Sequence, residues 1–139
     1  RLDYEIVAFD AADASGAAIY HTNVLMSVGT RFAAVCSEAI QASRRAAVLA
    51  LLETTGHRLV ELSFEQMHAF AGNMLELRSR NGDPLIALSE TARQSLTPEQ
   101  RSALEACGSL VSIPIPTIER FGGGSVRCML AEVFLPRAG

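Results

Sequence analysis

The sequence predicts an α/β fold assembled from repeated strand-strand-helix-strand units. Short runs rich in Val, Ile, Leu and Phe alternate with two segments of helical period, and Gly, Asn and Asp fall between them where turns are needed. One short pattern also recurs along the chain. Asn23-Val24-Leu25-Met26 returns as Asn73-Met74-Leu75-Glu76 fifty residues later and as Cys128-Met129-Leu130-Ala131 fifty-five further on. The flanks keep step: Ser37-Glu38-Ala39 matches Ser89-Glu90-Thr91, and Leu59-Val60-Glu61-Leu62 matches Leu110-Val111-Ser112-Ile113.

Strand-like runs fall at 4–9, 17–20, 24–28, 32–36, 58–63, 74–78, 84–88, 110–115 and 128–134. Asp13-Ala14-Ser15-Gly16 and Asn81-Gly82 supply the positive-φ residues that hairpin turns require. The first helix is expected over 37–55, with Ala39, Ile40, Ala47, Val48, Leu51 and Leu52 at helical spacing and Gly56 closing it. The second starts with Thr97 as N-cap and Pro98 at the first helical position, carries Ala103, Leu104 and Cys107, and ends at Gly108. A unit of this kind cannot cover its own apolar sheet face, so several must stack or surround a common centre. Around a centre, the residues opening the repeated strands, Asn23, Asn73 and Cys128, converge, and chemistry is expected there.

At 139 residues the chain is sized for one domain or a piece of one. Hydrophobic residues at 49% and charged residues at 19% allow a core and exclude intrinsic disorder. A net charge of −3 without a basic run removes the electrostatic warrant for a nucleic-acid partner. The longest nearly apolar stretch falls far short of the ~20 residues a membrane helix needs, so no membrane association is expected. Cys36, Cys107 and Cys128 are an odd number without metal spacing, which argues against a zinc site or disulfide framework and for a reduced, cytoplasmic setting. The chain opens at Arg1, without Met, in a strand-like run, so an upstream boundary is expected.

Cys128 follows Gly122-Gly123-Gly124-Ser125, a stretch whose backbone can approach a ligand closely and present N–H groups to developing charge. A thiol there is a candidate nucleophile, with a small buried hydrophobe as the competing reading. His21 stands two residues before Asn23 and is the best-placed histidine for proton transfer, against an ordinary hydrogen-bonded role. Asn73 either bonds a ligand or closes a turn. Cys36 and Cys107 read as core, and His57 and His68 as structural.

His21-Thr22-Asn23-Val24, Phe70-Ala71-Gly72-Asn73-Met74-Leu75 and Gly122-Gly123-Gly124-Ser125-Val126-Arg127-Cys128-Met129 together resemble the guanidino-modifying, or pentein, superfamily. That superfamily includes arginine deiminase, dimethylarginine dimethylaminohydrolase and the amidinotransferases, and the citrulline-utilisation hydrolase branch looks most similar. The resemblance covers the whole chain and implies a five-bladed α/β propeller of strand-strand-helix-strand modules, about twice as long when complete. Residues 1–139 then read as the C-terminal portion of a single pentein domain, with repeat boundaries near 20, 71 and 125.

The resemblance implies Cys128 as nucleophile and His21 as general acid and base. Asn23, Asn73, Gly124 and Ser125 are the expected substrate-binding residues, and no metal or organic cofactor is implied. The expected activity is hydrolysis of a C–N bond in a guanidino or ureido amino acid through a covalent thiol intermediate. An amidinotransferase, a non-catalytic pentein-fold binding module and an inactive fragment are the alternatives. Arginine-handling members commonly carry Asp where this chain has Asn23, which favours a neutral ureido group such as citrulline's. The acidic partner of the histidine is expected in a missing N-terminal half, which, or self-association, would cover the exposed sheet edges.

Overall fold

The computed structural model describes residues 6–132, which form two three-stranded sheets with helices packed on them. The first sheet has the order β1 (Met26–Val28), β2 (Phe32–Val35) and β3 (Arg58–Glu61); the second has β4 (Leu75–Arg78), β5 (Pro84–Ser89) and β6 (Ser109–Ile113). In both, the first pair is antiparallel and the second parallel, with Met26 facing Val35 and Phe32 facing Arg58 in one, Leu75 facing Ala87 and Leu85 facing Ser109 in the other. The repeat read from the sequence is therefore repeated in topology as well. A parallel return needs a crossover, and the helical segments after β2 and β5 provide it.

The central strands are the most buried, because each has a neighbour on both edges and a covered face. All of β2 is buried, and so are Ile86 to Ser89 of β5. Phe32, Val35, Leu62, Met74, Ile86, Leu88 and Leu104 meet in one continuous core, each full burial contributing about 1.5–3 kcal/mol. Three polar links tie the units together. Arg31 donates to the carbonyls of Ala106 and Cys107 at 2.6 and 3.1 Å. Thr30 gives both its N–H and its hydroxyl to Glu76 at 2.7 Å, and the amides of Gln66 and Gln100 bond each other.

Several expected elements take a different form. The single helix expected over 37–55 is a 3-10 turn, Ser37–Ala39, followed by extended Ile40 and then α2 (Ala42–Thr54). Competition explains the break: Ala11 pairs with Ile40, and Gln41 N–H bonds Asp10 O at 2.9 Å. Ahead of it, the strand expected at 24–28 winds its first half into α1 (Thr22–Leu25), capped by the His21 ring. The run at 17–20 reduces to one bridge, Ala12 to Ala18, closing the Asp13 turn. Residues 6–9 of the first expected strand join no sheet, and its residues 4 and 5 lie outside the described residues.

The second crossover is split into α4 (Glu90–Ser95) and α5 (Pro98–Glu105). Pro98 disfavours helical geometry at Thr97, which stays extended and caps α5 instead. Besides α4, two more short helices lie outside the sequence expectation: α3 (Phe64–His68), opened by a Ser63/Gln66 capping box, and α6 (Pro116–Gly122), ended by left-handed Gly123. The strand expected at 128–134 is instead a 3-10 turn over Val126–Met129, since Cys128 N–H bonds back to Ser125 O at 3.0 Å and finds no ladder. Residues 133 and 134 of that expected strand lie outside the described residues.

Candidate active site

The three positions that open the repeated pattern lie together, each presented by different local structure. Asn23 sits in α1, Asn73 in the loop between α3 and β4, and Cys128 in the 3-10 turn after α6. The side-chain Nδ2 of Asn73, itself buried, donates to Asn23 O and to Cys128 Sγ, both at 3.2 Å. Cys128 Sγ is also 3.6 Å from Asn73 Oδ1, within reach of a thiol proton. Gly72 makes the approach possible. A Cβ there would stand 2.5 Å from Val24 O and 3.0 Å from the Leu25 carbonyl carbon, so any side chain would push the two units apart.

His21, Asn23, Asn73, Gly124 and Cys128 line a single cavity of about 530 Å³. The Nδ1 of His21 accepts the Asn23 N–H at 3.1 Å, which in the neutral ring puts the proton on Nε2. Nε2 is therefore the nitrogen left to exchange protons with the cavity. Tyr20 also lines the cavity, and its hydroxyl donates to Gly123 O at 3.4 Å.

The turn bearing Cys128 is held at three points. Val126 is buried in the core, Arg127 donates to Met74 O at 3.2 Å, and the fully buried Ser125 hydroxyl donates to Glu119 at 2.7 Å. The other oxygen of Glu119 accepts from Thr91 at 2.7 Å, linking α6 to α4. Gly124 packs so closely that an added Cβ would lie 2.8 Å from Cys128 Sγ. Ser125 thus departs from the expectation of substrate contact: it does not line the cavity, and its hydroxyl is committed to Glu119.

Cys36 and Cys107 are buried away from the cavity, and burial pushes the Cys36 thiol up. His57 also stays outside, bonded to Thr55 and Leu52. Among the wall residues outside the expected site are Asp13, Tyr20, Met67, His68 and Phe70. Asp13 is held below its ordinary value of 3.8 by the Ser15 hydroxyl and the Ala17 N–H, which keeps it anionic at neutral pH. His68 and Phe70 belong to the end of α3, and the Ser63-x-x-Gln66 capping box was the available sign of that helix. Phe70 has a φ of 64°, left-handed backbone that costs a non-glycine residue of order 1–3 kcal/mol. Among the described residues no group of three or more His, Cys, Asp or Glu side chains could hold a metal ion, and no helix is long and apolar enough to cross a membrane.

An α/β scaffold with a repeated unit that gathers a cysteine, a histidine and two asparagines at one cavity fits the guanidino-modifying, or pentein, class of proteins. The chain belongs to the family described as N,N dimethylarginine dimethylhydrolase, eukaryotic, whose model matches residues 1–135. Its fold is similar to that of apo ArgZ, an arginine dihydrolase from the ornithine-ammonia cycle in cyanobacteria, with a TM-score of 0.66 and 18% identity. The match covers 97% of this chain and 20% of that one, so the chain spans about a fifth of that protein's length. Comparison with curated proteins gives no match.

Proposed function

We propose that this chain carries the nucleophile-bearing part of a Cys-dependent hydrolase that cleaves a C–N bond of a small guanidino or ureido compound. The observation that carries the reading is the Asn73 Nδ2 contact to Cys128 Sγ at 3.2 Å in a cavity that His21 also lines. A cysteine kept only for packing would be buried among apolar groups, as Cys36 is; Cys128 is exposed and faces polar ones.

In this mechanism Cys128 sulfur attacks the electrophilic guanidino or ureido carbon as its S–H proton passes to His21 Nε2, whose own proton goes to the departing amine, while the Asn73 amide N–H donates to the sulfur. His21 Nε2 delivers a proton to the departing amine, which leaves as the C–N bond breaks. The same nitrogen then passes a proton from water to the sulfur as the water oxygen attacks the thio-linked carbon and the C–S bond breaks. Asn23 supplies a neutral amide to the cavity, which suits a ureido group as well as a guanidinium. The family description and the arginine dihydrolase neighbour support a guanidino substrate. The two units are read as adjacent blades of a propeller, completed by further modules or by self-association.

The test is Cys128→Ala in the full-length protein, assayed for ammonia or amine release from arginine, N,N-dimethylarginine and citrulline. Loss of turnover with an unchanged melting curve is expected; substantial remaining activity overturns the mechanism. A haloacetamidine that labels Cys128 no faster than Cys36 or Cys107 would favour a non-catalytic binding module.

A further inference from the structure

Phe70 is the one non-glycine residue with positive φ among the described residues. It occupies the left-handed position of the turn that ends α3, closed by Ala71 N–H to Gln66 O at 2.9 Å and Phe70 N–H to Met67 O at 3.0 Å. Glycine or asparagine fills that position with least strain. An aromatic residue there needs a compensating role. Phe9 and Phe64 pack against the core as partly buried side chains, and Phe70, also half-buried, stands at a cavity instead. Phe70 lines the cavity shared by Cys128, Asn73 and His21.

Strain retained where a side chain borders a ligand cavity points to a function for that side chain. We infer that Phe70 is a specificity-determining residue, its ring forming the apolar wall against which the methylene or N-alkyl part of the substrate packs. The inference rests on the cavity being the substrate site. The turn serves the site twice, since Phe70 O also accepts the Asn73 N–H at 2.8 Å. That bond belongs to the backbone and survives replacement of the ring.

This makes Phe70→Gly an informative variant, because it removes the ring and relieves the backbone together. Full-length wild type, Phe70→Gly and Phe70→Leu are compared for Tm and for kcat and KM on arginine, N,N-dimethylarginine and citrulline. The glycine variant is expected to melt at or above the wild-type temperature, to raise KM about tenfold and to keep kcat within about threefold. Leucine, which keeps apolar bulk, is expected to recover part of the KM. A wild type that turns over while Phe70→Gly leaves KM unchanged overturns the role of Phe70 alone. A glycine variant that melts well below wild type assigns the ring to packing and overturns it too. A wild type without turnover on all three compounds overturns the hydrolase reading, and this inference with it.

Discussion

Asn73 donates one side-chain nitrogen to both Asn23 O and Cys128 Sγ at 3.2 Å, and so joins residues fifty before it and fifty-five after it in the chain. Each belongs to a different copy of the repeat, so the bond is where the pseudo-symmetry of the units becomes a site. Because Asn73 is buried, its replacement leaves the Asn23 carbonyl without this donor. Asn73→Ala is expected to cost about 1–3 kcal/mol of stability and to reduce kcat more than KM. Urea unfolding and steady-state kinetics of the full-length protein check both; unchanged values in either would refute the link.

Gly72 and Gly124 separate stability from chemistry. A Cβ at Gly72 meets backbone at 2.5 Å, so Gly72→Ala must spread the units and lower Tm by several degrees. At Gly124 the clash is with Cys128 itself, at 2.8 Å from Sγ. Gly124→Ala is expected to displace the thiol and lose activity with a much smaller change in Tm. Circular-dichroism melts beside turnover assays distinguish the two, and equal effects on both properties would contradict this division.

Thiol accessibility offers a further check. Cys128 is exposed, while Cys36 and Cys107 are buried. Native iodoacetamide treatment, read by peptide mass, should modify Cys128 alone, with the other two reacting only once urea unfolds the chain. Early modification of Cys36, whose thiol burial pushes up, would show the core to be open.

Glu119 accepts hydroxyl bonds from Ser125 and Thr91, both at 2.7 Å, and anchors the loop that carries Cys128. Glu119→Ala strands the buried Ser125 hydroxyl, which costs about 1–3 kcal/mol. Ser125→Ala made in addition removes the stranded group, so the double variant should lose less than the sum of the two single ones. Additive losses in a double-mutant cycle would show that the two do not act through one bond.

Asp13 provides a pH-dependent prediction. The Ser15 hydroxyl and Ala17 N–H favour its charged form, so its folded-state value lies below the ordinary 3.8. A carboxylate depressed in the folded state contributes stability that is fully present above its unfolded value, about 3.9, and is lost as pH falls through the folded one. The turn at 13–17 should therefore stay ordered at pH 5 and loosen in more acidic solution. An NMR titration of the Asp13 carboxyl carbon with a midpoint at or above 3.8 would contradict this.

The sequence alone determined the repeat, because apolar period, turn residues and the recurring Asn23, Asn73 and Cys128 positions are local properties of the chain. Both sheets follow from it, with β2 and β5 as their covered centres. It also singled out His21 and Cys128, which the fold brings to one cavity. Only the tertiary structure decided how each repeat position is presented. The segment at 128–132 looks like a strand by composition, yet no neighbouring edge pairs with it, and local bonds wind its beginning into a turn. The apolar run at 37–55 looks continuous, yet the Asp10 to Ala12 segment takes the hydrogen bonds of residues 39–41 and breaks it. The commitment of Ser125 to Glu119 was hidden for the same reason, as was the place of Asp13, His68 and Phe70 on the cavity wall. Such contacts join residues far apart in the chain, and no periodicity records which of several polar partners a folded backbone brings within bonding distance.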